Sequence, residues 1–321
     1  MPQTAEVSMK VLIENSTAYK IFCREAEAGR LAHAYMLSFE DSACLREALK
    51  IFALRFFGTS AEEKLGGQIL REVFPDCRIY PEPGKKFNAE AASALIEDSA
   101  MRPAYGSKKL YIISSFEECS AVVQNKLLKV IEEPPEGVSF ILGAASLAPV
   151  LTTILSRVRL LEISPFTPEQ IFGALERSMP GGRYNRLAAE SCGGVLSVAS
   201  ALAGGQFADV RAEAMSILSA TDAGAAGTVA AAVGDSKYKK QVIAECSRLC
   251  LAAARAKTLG GGEEDERKIA SLWQEATLVR GSEIFCRALR DLKFNAYYPA
   301  LINSAMLNLI EENKRWQRLS E

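Results

Sequence analysis

Histidine is nearly missing from this sequence: His33 is the single one in 321 residues. A metal site built on histidines, or proton relay through several imidazoles, is thereby excluded. An excess of either charge sign is missing too. Lys+Arg number 38 against Asp+Glu 39, a net charge of −1. Contact with nucleic acid would have to come from a local basic surface, not from the bulk charge. The phosphate-loop pattern G-x-x-x-x-G-K-[ST] occurs nowhere in the chain. Eight cysteines are present (Cys23, Cys44, Cys77, Cys119, Cys192, Cys246, Cys250 and Cys286), yet no two form a C-x-x-C pair. Cys246 and Cys250 lie one helical turn apart, with no further Cys or His nearby to complete a zinc tetrahedron. No metal is expected, and the pattern suits buried, reduced thiols.

The first ten residues lack a charged segment followed by an apolar run, so no signal peptide is read there. One uncharged run, 138–155, reaches the lower edge of a membrane span. Gly143, Ser146, Pro149 and the Thr152-Thr153 pair break it up. A buried strand followed by a loop is expected instead, in a cytoplasmic protein without membrane contact. With 49% hydrophobic and 24% charged residues, the chain is ordinary enough to build cores and long enough for two or three domains.

Along the chain, apolar spacing predicts helices over 11–28, 44–57, 89–101 and 121–133, with breaks at Gly58 and at Gly66-Gly67. Short apolar runs at 34–38, 110–113, 140–142 and 160–163 read as buried strands, and 78–83 as extended because of its prolines. Strands alternating with helices predict a parallel sheet covered on both faces. After Pro165 the character changes. Short helices are expected over 168–179, 184–192 and 195–203, and only helices from Phe207 onward. Their breaks are expected at 221–227, at Gly234-Asp235, and at Gly260 to Gly262 with the acidic run behind it. The last helix, 299–319, carries Pro299 near its first turn. Trp273 and Trp316 fall in these C-terminal helices and are expected in a core or an interface. His33, at a strand edge with no visible partner, is expected to pack rather than to react.

Residues 108–142, KKLYIISSFEECSAVVQNKLLKVIEEPPEGVSFIL, resemble the Walker B strand and the following helix of bacterial clamp-loader subunits of the AAA+ superfamily. Lys126-Leu127-Leu128-Lys129 and Glu132-Glu133-Pro134-Pro135 carry the match. LTTILSR at 151–157 is similar to the family's T-I-x-S-R-C motif, AHAY at 32–35 to the strand feeding the phosphate loop, and EISPFTPEQI at 162–171 to the entry of its small helical domain. LKFNAYYPALINSAMLNL at 292–309 resembles the collar helices. The resemblance implies an AAA+ P-loop-like α/β domain over 1–164, a small helical lid domain over 165–207, and an all-α C-terminal collar domain over 208–321.

The departures from that pattern carry the functional expectation. A working phosphate loop needs glycines, a lysine and a Ser/Thr. Here LSFEDSACLREAL, 37–49, has no glycine. Phe39 falls where the first glycine belongs, Leu45 where the lysine belongs, and Arg46 replaces the Ser/Thr. Glu40 and Asp41 add negative charge where phosphates would lie. Ser114 and Ser115 stand in place of the Walker B Asp and Glu, with Glu117 and Glu118 too far on to substitute. Leu196 stands in place of the sensor-2 arginine. No cofactor is therefore expected in this chain. Ser156-Arg157 keep the S-R pair, with Val158 replacing the cysteine. In the family that arginine serves a neighbour's ATP, where a permanently charged guanidinium stabilises shifting phosphate charge. The plain alternative for Arg157 is a surface pair with a nearby carboxylate.

An inert phosphate loop with a retained S-R motif implies the non-catalytic, delta-prime type of DNA polymerase III clamp-loader subunit. Its zinc cysteines have gone, since 58–73 holds none and Cys77 stands alone. Implied partners are a gamma/tau-like ATPase subunit, a delta-like subunit, the sliding clamp, and primer-template DNA within the assembly. Lys126 and Lys129 either face that DNA or form a solvated helix face. An active ATPase, and a freestanding DNA-binding or scaffold protein, stay open as alternatives.

Overall fold

The structure is a computed structural model that describes residues 3–82, 84–292 and 296–320. It divides into two compact units, residues 1–185 with 193–199, and residues 186–192 with 200–321. The 165–207 stretch contributes to both. The first unit runs α1 (Gln3–Asn15), α2 (Thr17–Glu27), β1 (Ala34–Phe39), α3 (Ser42–Phe57), α4 (Lys64–Leu70), β2 (Cys77–Tyr80) and α5 (Ala89–Ser99). It continues with β3 (Lys109–Ile113), α6 (Ala121–Glu132), β4 (Val138–Ala144), α7 (Thr152–Leu155), β5 (Arg159–Ile163) and α8 (Pro168–Ser178). Of two short helices that follow, α9 (Asn185–Ser191) falls almost wholly in the second unit, and α10 (Leu196–Ala201) begins in the first and ends in the second.

Among the described residues the strands form one parallel sheet in the order β2-β3-β4-β1-β5. Alternation along each strand splits the apolar residues between two faces. Met36, Tyr111, Ile113, Phe140 and Leu142 pack with Ala92 and Leu95 of α5 and Val123, Leu127 and Ile131 of α6. On the other face Tyr35 meets Phe22, which in turn meets Phe52, both edge-on at 5.0 and 5.1 Å between centroids. α3 lies so close to β4 that a methyl on Gly143 would sit 2.6 Å from Leu49 and 3.2 Å from Leu45. This parallel α/β unit, with helices on both faces of the sheet, is the fold class the sequence pattern predicts.

Three local expectations are corrected. The helix over 11–28 is two helices, because the Ser16 hydroxyl accepts from Tyr19 N at 3.2 Å and caps α2. Gly66-Gly67 is no break but lies inside α4. Gly66 is needed there because an added Cβ would come 1.7 Å from the Ser60 carbonyl. His33 is exposed, and its backbone carbonyl accepts from Phe140 N at 2.8 Å. The uncharged run 138–155 becomes β4, a turn and α7. No helix among the described residues is long and apolar enough to cross a membrane.

The second unit is helical: α11 (Phe207–Ser219), α12 (Ala223–Ala232), α13 (Lys239–Leu259), α14 (Glu264–Leu272), α15 (Glu275–Leu292) and α16 (Tyr298–Ser320). The long α13 is its axis, burying Val242, Cys246, Leu249, Cys250 and Ala253. Trp273 is buried and donates to Leu218 O at 2.8 Å, whereas Trp316 is partly exposed. Glu245 is buried, and Arg211 (3.2 Å) and Arg248 (2.7 Å) neutralise it, the pairing a buried carboxylate requires. The break expected at 221–227 is instead the start of α12, capped by Asp222. The acidic run opens α14: Glu263 and Glu266 form a reciprocal capping box, and negative charge there suits the helix dipole. Lys293, Phe294 and Asn295 of the collar motif, and Pro83 of the extended stretch, lie outside the described residues.

Candidate functional site

The candidate site is the junction of β1 with α3, together with the neighbouring end of β3. Only Glu40 and Asp41 connect the strand to the helix. Phe39, 2% exposed, faces the Phe166 ring at 6.0 Å. Leu45, 1% exposed, lies over Gly143 as part of the apolar layer between α3 and β4. Neither side chain is presented to a ligand.

Asp41 is the buried member of the acidic pair. It is the N-cap of α3, its Oδ1 accepting from Cys44 N at 3.2 Å, while Oδ2 accepts from Ser197 N at 2.8 Å. Free N–H groups at a helix start attract anions, and here the anion is the chain's own carboxylate. Burial, and then the Asp41 charge beside it, push the Cys44 thiol far up, so it stays protonated. Leu196, which the resemblance sets at the sensor-2 position, is buried one residue before the Ser197 amide that Asp41 holds.

Arg46 and Ser114, which the resemblance sets at the two positions where a magnesium nucleotide would need oxygen ligands, bond to each other. Arg46 Nη1 donates to Ser114 Oγ at 3.1 Å and to Pro81 O at 2.9 Å. Its Nε donates to Glu72 Oε1 at 2.9 Å, and Nη2 reaches Glu72 Oε2, a two-pronged pair. Lys50 joins from the next turn of α3, 3.0 Å from Glu72 and 2.7 Å from Glu47. Burial pushes the Glu72 carboxyl up, but the hydrogen bonds and charges of Arg46 and Lys50 outweigh it and hold the group below the usual glutamate range. Ser114 is buried and donates Oγ–H to Tyr80 O at 3.1 Å. Ser115 is partly exposed and precedes a single 3-10 turn, Phe116–Glu118. Glu117 accepts from Ala145 N at 3.0 Å, tying that turn to the end of β4.

Ser156 and Arg157 lie just past α7, across the unit from the β2 edge. Ser156 is exposed. Arg157 is partly exposed and turned onto its own chain. Its Nε donates to Glu132 Oε2 at 2.8 Å, and its Nη1 to Thr153 O at 3.0 Å and Ser156 Oγ at 3.3 Å. Arg157 holds the exposed Glu132 carboxyl below its ordinary range. Lys126 and Lys129 are both exposed on α6. Lys126 donates to Ala89 O at 3.2 Å and to Ser93 Oγ, which draws it towards the start of α5.

Sequence reasoning missed Glu72, Lys50 and Glu132. Each is an ordinary surface-type residue whose partner is brought to it by the fold. It read Asp41 as a repelling charge, although an Asp immediately before an apolar helical run is a capping signal. Among the described residues no group of three or more His, Cys, Asp or Glu side chains is placed to hold a metal ion. Cys77 is buried in β2, its thiol pushed up to about 12 by burial and by Glu72.

Residues 14–167 match the family model described as DNA polymerase III, delta subunit. The chain is also similar to the DNA polymerase III subunit delta' of Bacillus subtilis (strain 168), with 26% identity over 204 residues, 62% of each chain. The likeness to clamp-loader subunits thus covers part of this chain, just under half of it in the family model and 62% in the delta' relative. The chain is further similar to the DNA polymerase III subunit tau of Escherichia coli (strain K12), 33% identical over 98 residues, 30% of this chain and 15% of that one. The match thus spans under two thirds of each of these relatives. A Bacillus subtilis DNA clamp loader delta protein (YqeN) aligns with 91% of this chain and 99% of its own, at 13% identity and a TM-score of 0.36. That likeness is too loose to bear on arrangement or function.

Proposed function

We propose that this chain is a non-catalytic, delta-prime-like subunit of a cytoplasmic clamp loader, divided into an α/β domain (1–164), a lid (165–207) and a collar (208–321). One observation carries the reading: both charges of a magnesium nucleotide are replaced by the chain's own side chains. The Asp41 carboxylate takes the N-terminus of α3, where phosphate would bind, and the Arg46 guanidinium takes the place of the cation beside Ser114. Leu45 is packed into the core where a phosphate-binding lysine would have to be free. These residues do not fit Mg·ATP, and no hydrolytic step runs through them.

In this reading the chain acts on a neighbour's nucleotide. Arg157 leaves Glu132 and donates to the γ-phosphate of ATP held by a gamma/tau-like subunit. An arginine supplied in this way stabilises charge that develops in phosphoryl transfer. The Glu132 pair is exposed and easily screened, so exchanging it for a phosphate is favourable. The collar helices would join the ring, a delta-like subunit would open the sliding clamp, and the assembly would place it on primed DNA, with Lys126 and Lys129 turned to that DNA.

The test is reconstitution with the cognate ATPase and delta-like subunits. Arg157→Ala should leave assembly intact by gel filtration and lower DNA-stimulated hydrolysis at the one site it serves by roughly a hundredfold or more. Unchanged hydrolysis in an intact assembly would refute the trans-acting role. Tight, magnesium-dependent ATP binding by the isolated chain would refute the non-catalytic reading.

A further inference from the structure

Asp41 does more than cap one helix. Its two oxygens accept from amides 3 and 156 residues further along the chain, Cys44 N in the first turn of α3 and Ser197 N in the first turn of α10. The carboxylate is 2% exposed, so water screens neither bond. The segment is tied down a second time nearby: Gly194 O accepts from Phe166 N at 3.1 Å. Gly194 has φ +85°, and a Cβ there would come within 2.7 Å of Pro165 and 2.8 Å of the Phe166 carbonyl. The Phe166 ring in turn packs on Phe39, at the end of β1. Residues 193–199 are thus joined to the β1–α3 junction at one apolar point and one charged point.

We propose that Asp41 is an internal substitute for a bound phosphate, and that it fastens residues 193–199 onto the N-terminus of α3 whether or not nucleotide is present. Two sets of partner-lacking helix amides need one anion between them. A phosphate would supply its oxygens only while bound, whereas a side chain supplies them permanently. Asp41 is then a positioning residue: it holds the sensor-2 segment closed, and removing its carboxylate should leave an anion-seeking pair of amides behind. The proposal rests on reading the junction as a former phosphate loop.

Hydrogen–deuterium exchange on the whole chain tests it without any partner subunit, so its outcome is separate from that of the ATPase assay. The comparison is wild type with Asp41→Ser and Asp41→Ala. Serine can still cap α3 but is too short to bridge to Ser197. In both variants, amides of 193–199 should exchange on the order of tenfold faster or more, the scale of one charge-assisted hydrogen bond. Amides of β3 and β4 should be unchanged, and the first turn of α3 should stay protected in Asp41→Ser. Millimolar inorganic phosphate should slow exchange of 193–199 in Asp41→Ser and do nothing in wild type. Unaltered exchange at 193–199 in Asp41→Ser would overturn the fastening. Faster exchange with no response to phosphate would overturn the substitution of carboxylate for phosphate.

Discussion

Placing at position 45 the lysine that a phosphate loop would carry there should damage this protein. Leu45 is 1% exposed, and its methyl lies against the one strand position, Gly143, that leaves room for it. Leu45→Lys removes an apolar burial worth about 1.5–3 kcal/mol. It also places an ammonium in a layer formed by Leu49 and β4, where desolvation costs several kcal/mol more unless a partner is found. Asp41 lies one turn earlier, but both its oxygens already accept backbone N–H bonds. A net loss of at least about 3 kcal/mol follows. At about 2–4 °C per kcal/mol for a unit of this size, melting of the first unit should fall by roughly 6–12 °C. Leu45→Met, which conserves volume, should cost under about 1.5 kcal/mol. Hydrogen exchange at β1 and β4 during thermal or urea titration reads the first unit directly. Tryptophan fluorescence serves as a reference, since Trp273 and Trp316 both belong to the second unit. If Leu45→Lys melted with wild type and bound ATP tightly, position 45 would be an open phosphate-loop position, and the filled-site reasoning would be wrong.

Other perturbations probe the same frame. Arg46→Met strips Glu72, Pro81 O and Ser114 of a shared donor and should destabilise the first unit by about 1–3 kcal/mol in urea denaturation. Glu72 has its carboxyl lowered on folding, so its stabilisation is full above the ordinary glutamate range and is lost as pH falls through the folded value. Denaturation midpoints of wild type and Glu72→Gln should therefore differ at pH 7 and converge in acid; a gap that widens in acid would contradict the assigned sign. Glu132→Gln frees Arg157 from its exposed in-chain partner. It should leave the melting temperature unchanged and maintain or raise hydrolysis in the assembly, opposite to Arg157→Ala. Gly66→Ala drives a methyl onto the Ser60 carbonyl and should shift the α4 backbone and lower stability. Gly67→Ala, whose methyl would meet only the Arg71 guanidinium at 3.8 Å, should stabilise by up to about 1 kcal/mol. Equal effects of the two glycine changes would argue against the close approach.

Much of the fold is legible from local pattern. The apolar runs at 34–38, 110–113 and 140–142 are strands because consecutive buried residues suit a sheet covered on both faces, whereas 160–163, expected to be buried, is an edge strand that buries only Leu161 and Ile163 and leaves Leu160 exposed. Misreadings came where a local signal had two meanings. Gly66-Gly67 looks like punctuation, but close packing on Ser60 demands small residues within a helix. The acidic run at 263–266 looks like a solvated break, yet acidic residues also favour a helix start.

The sequence by itself determined that no G-x-x-x-x-G-K-[ST] pattern occurs and that Arg157 follows Ser156. Those statements concern residue identity, which needs no coordinates. Only the tertiary structure decided which partners these residues meet. With β1 between β4 and β5, and β2 at the far edge beside β3, Arg46 meets Ser114 across 68 residues, and Asp41 meets Ser197 across 156. Arg157 finds Glu132 across 25. Hydrogen bonds act over a few ångströms in space and carry no memory of separation along the chain, so no spacing rule could have named these partners.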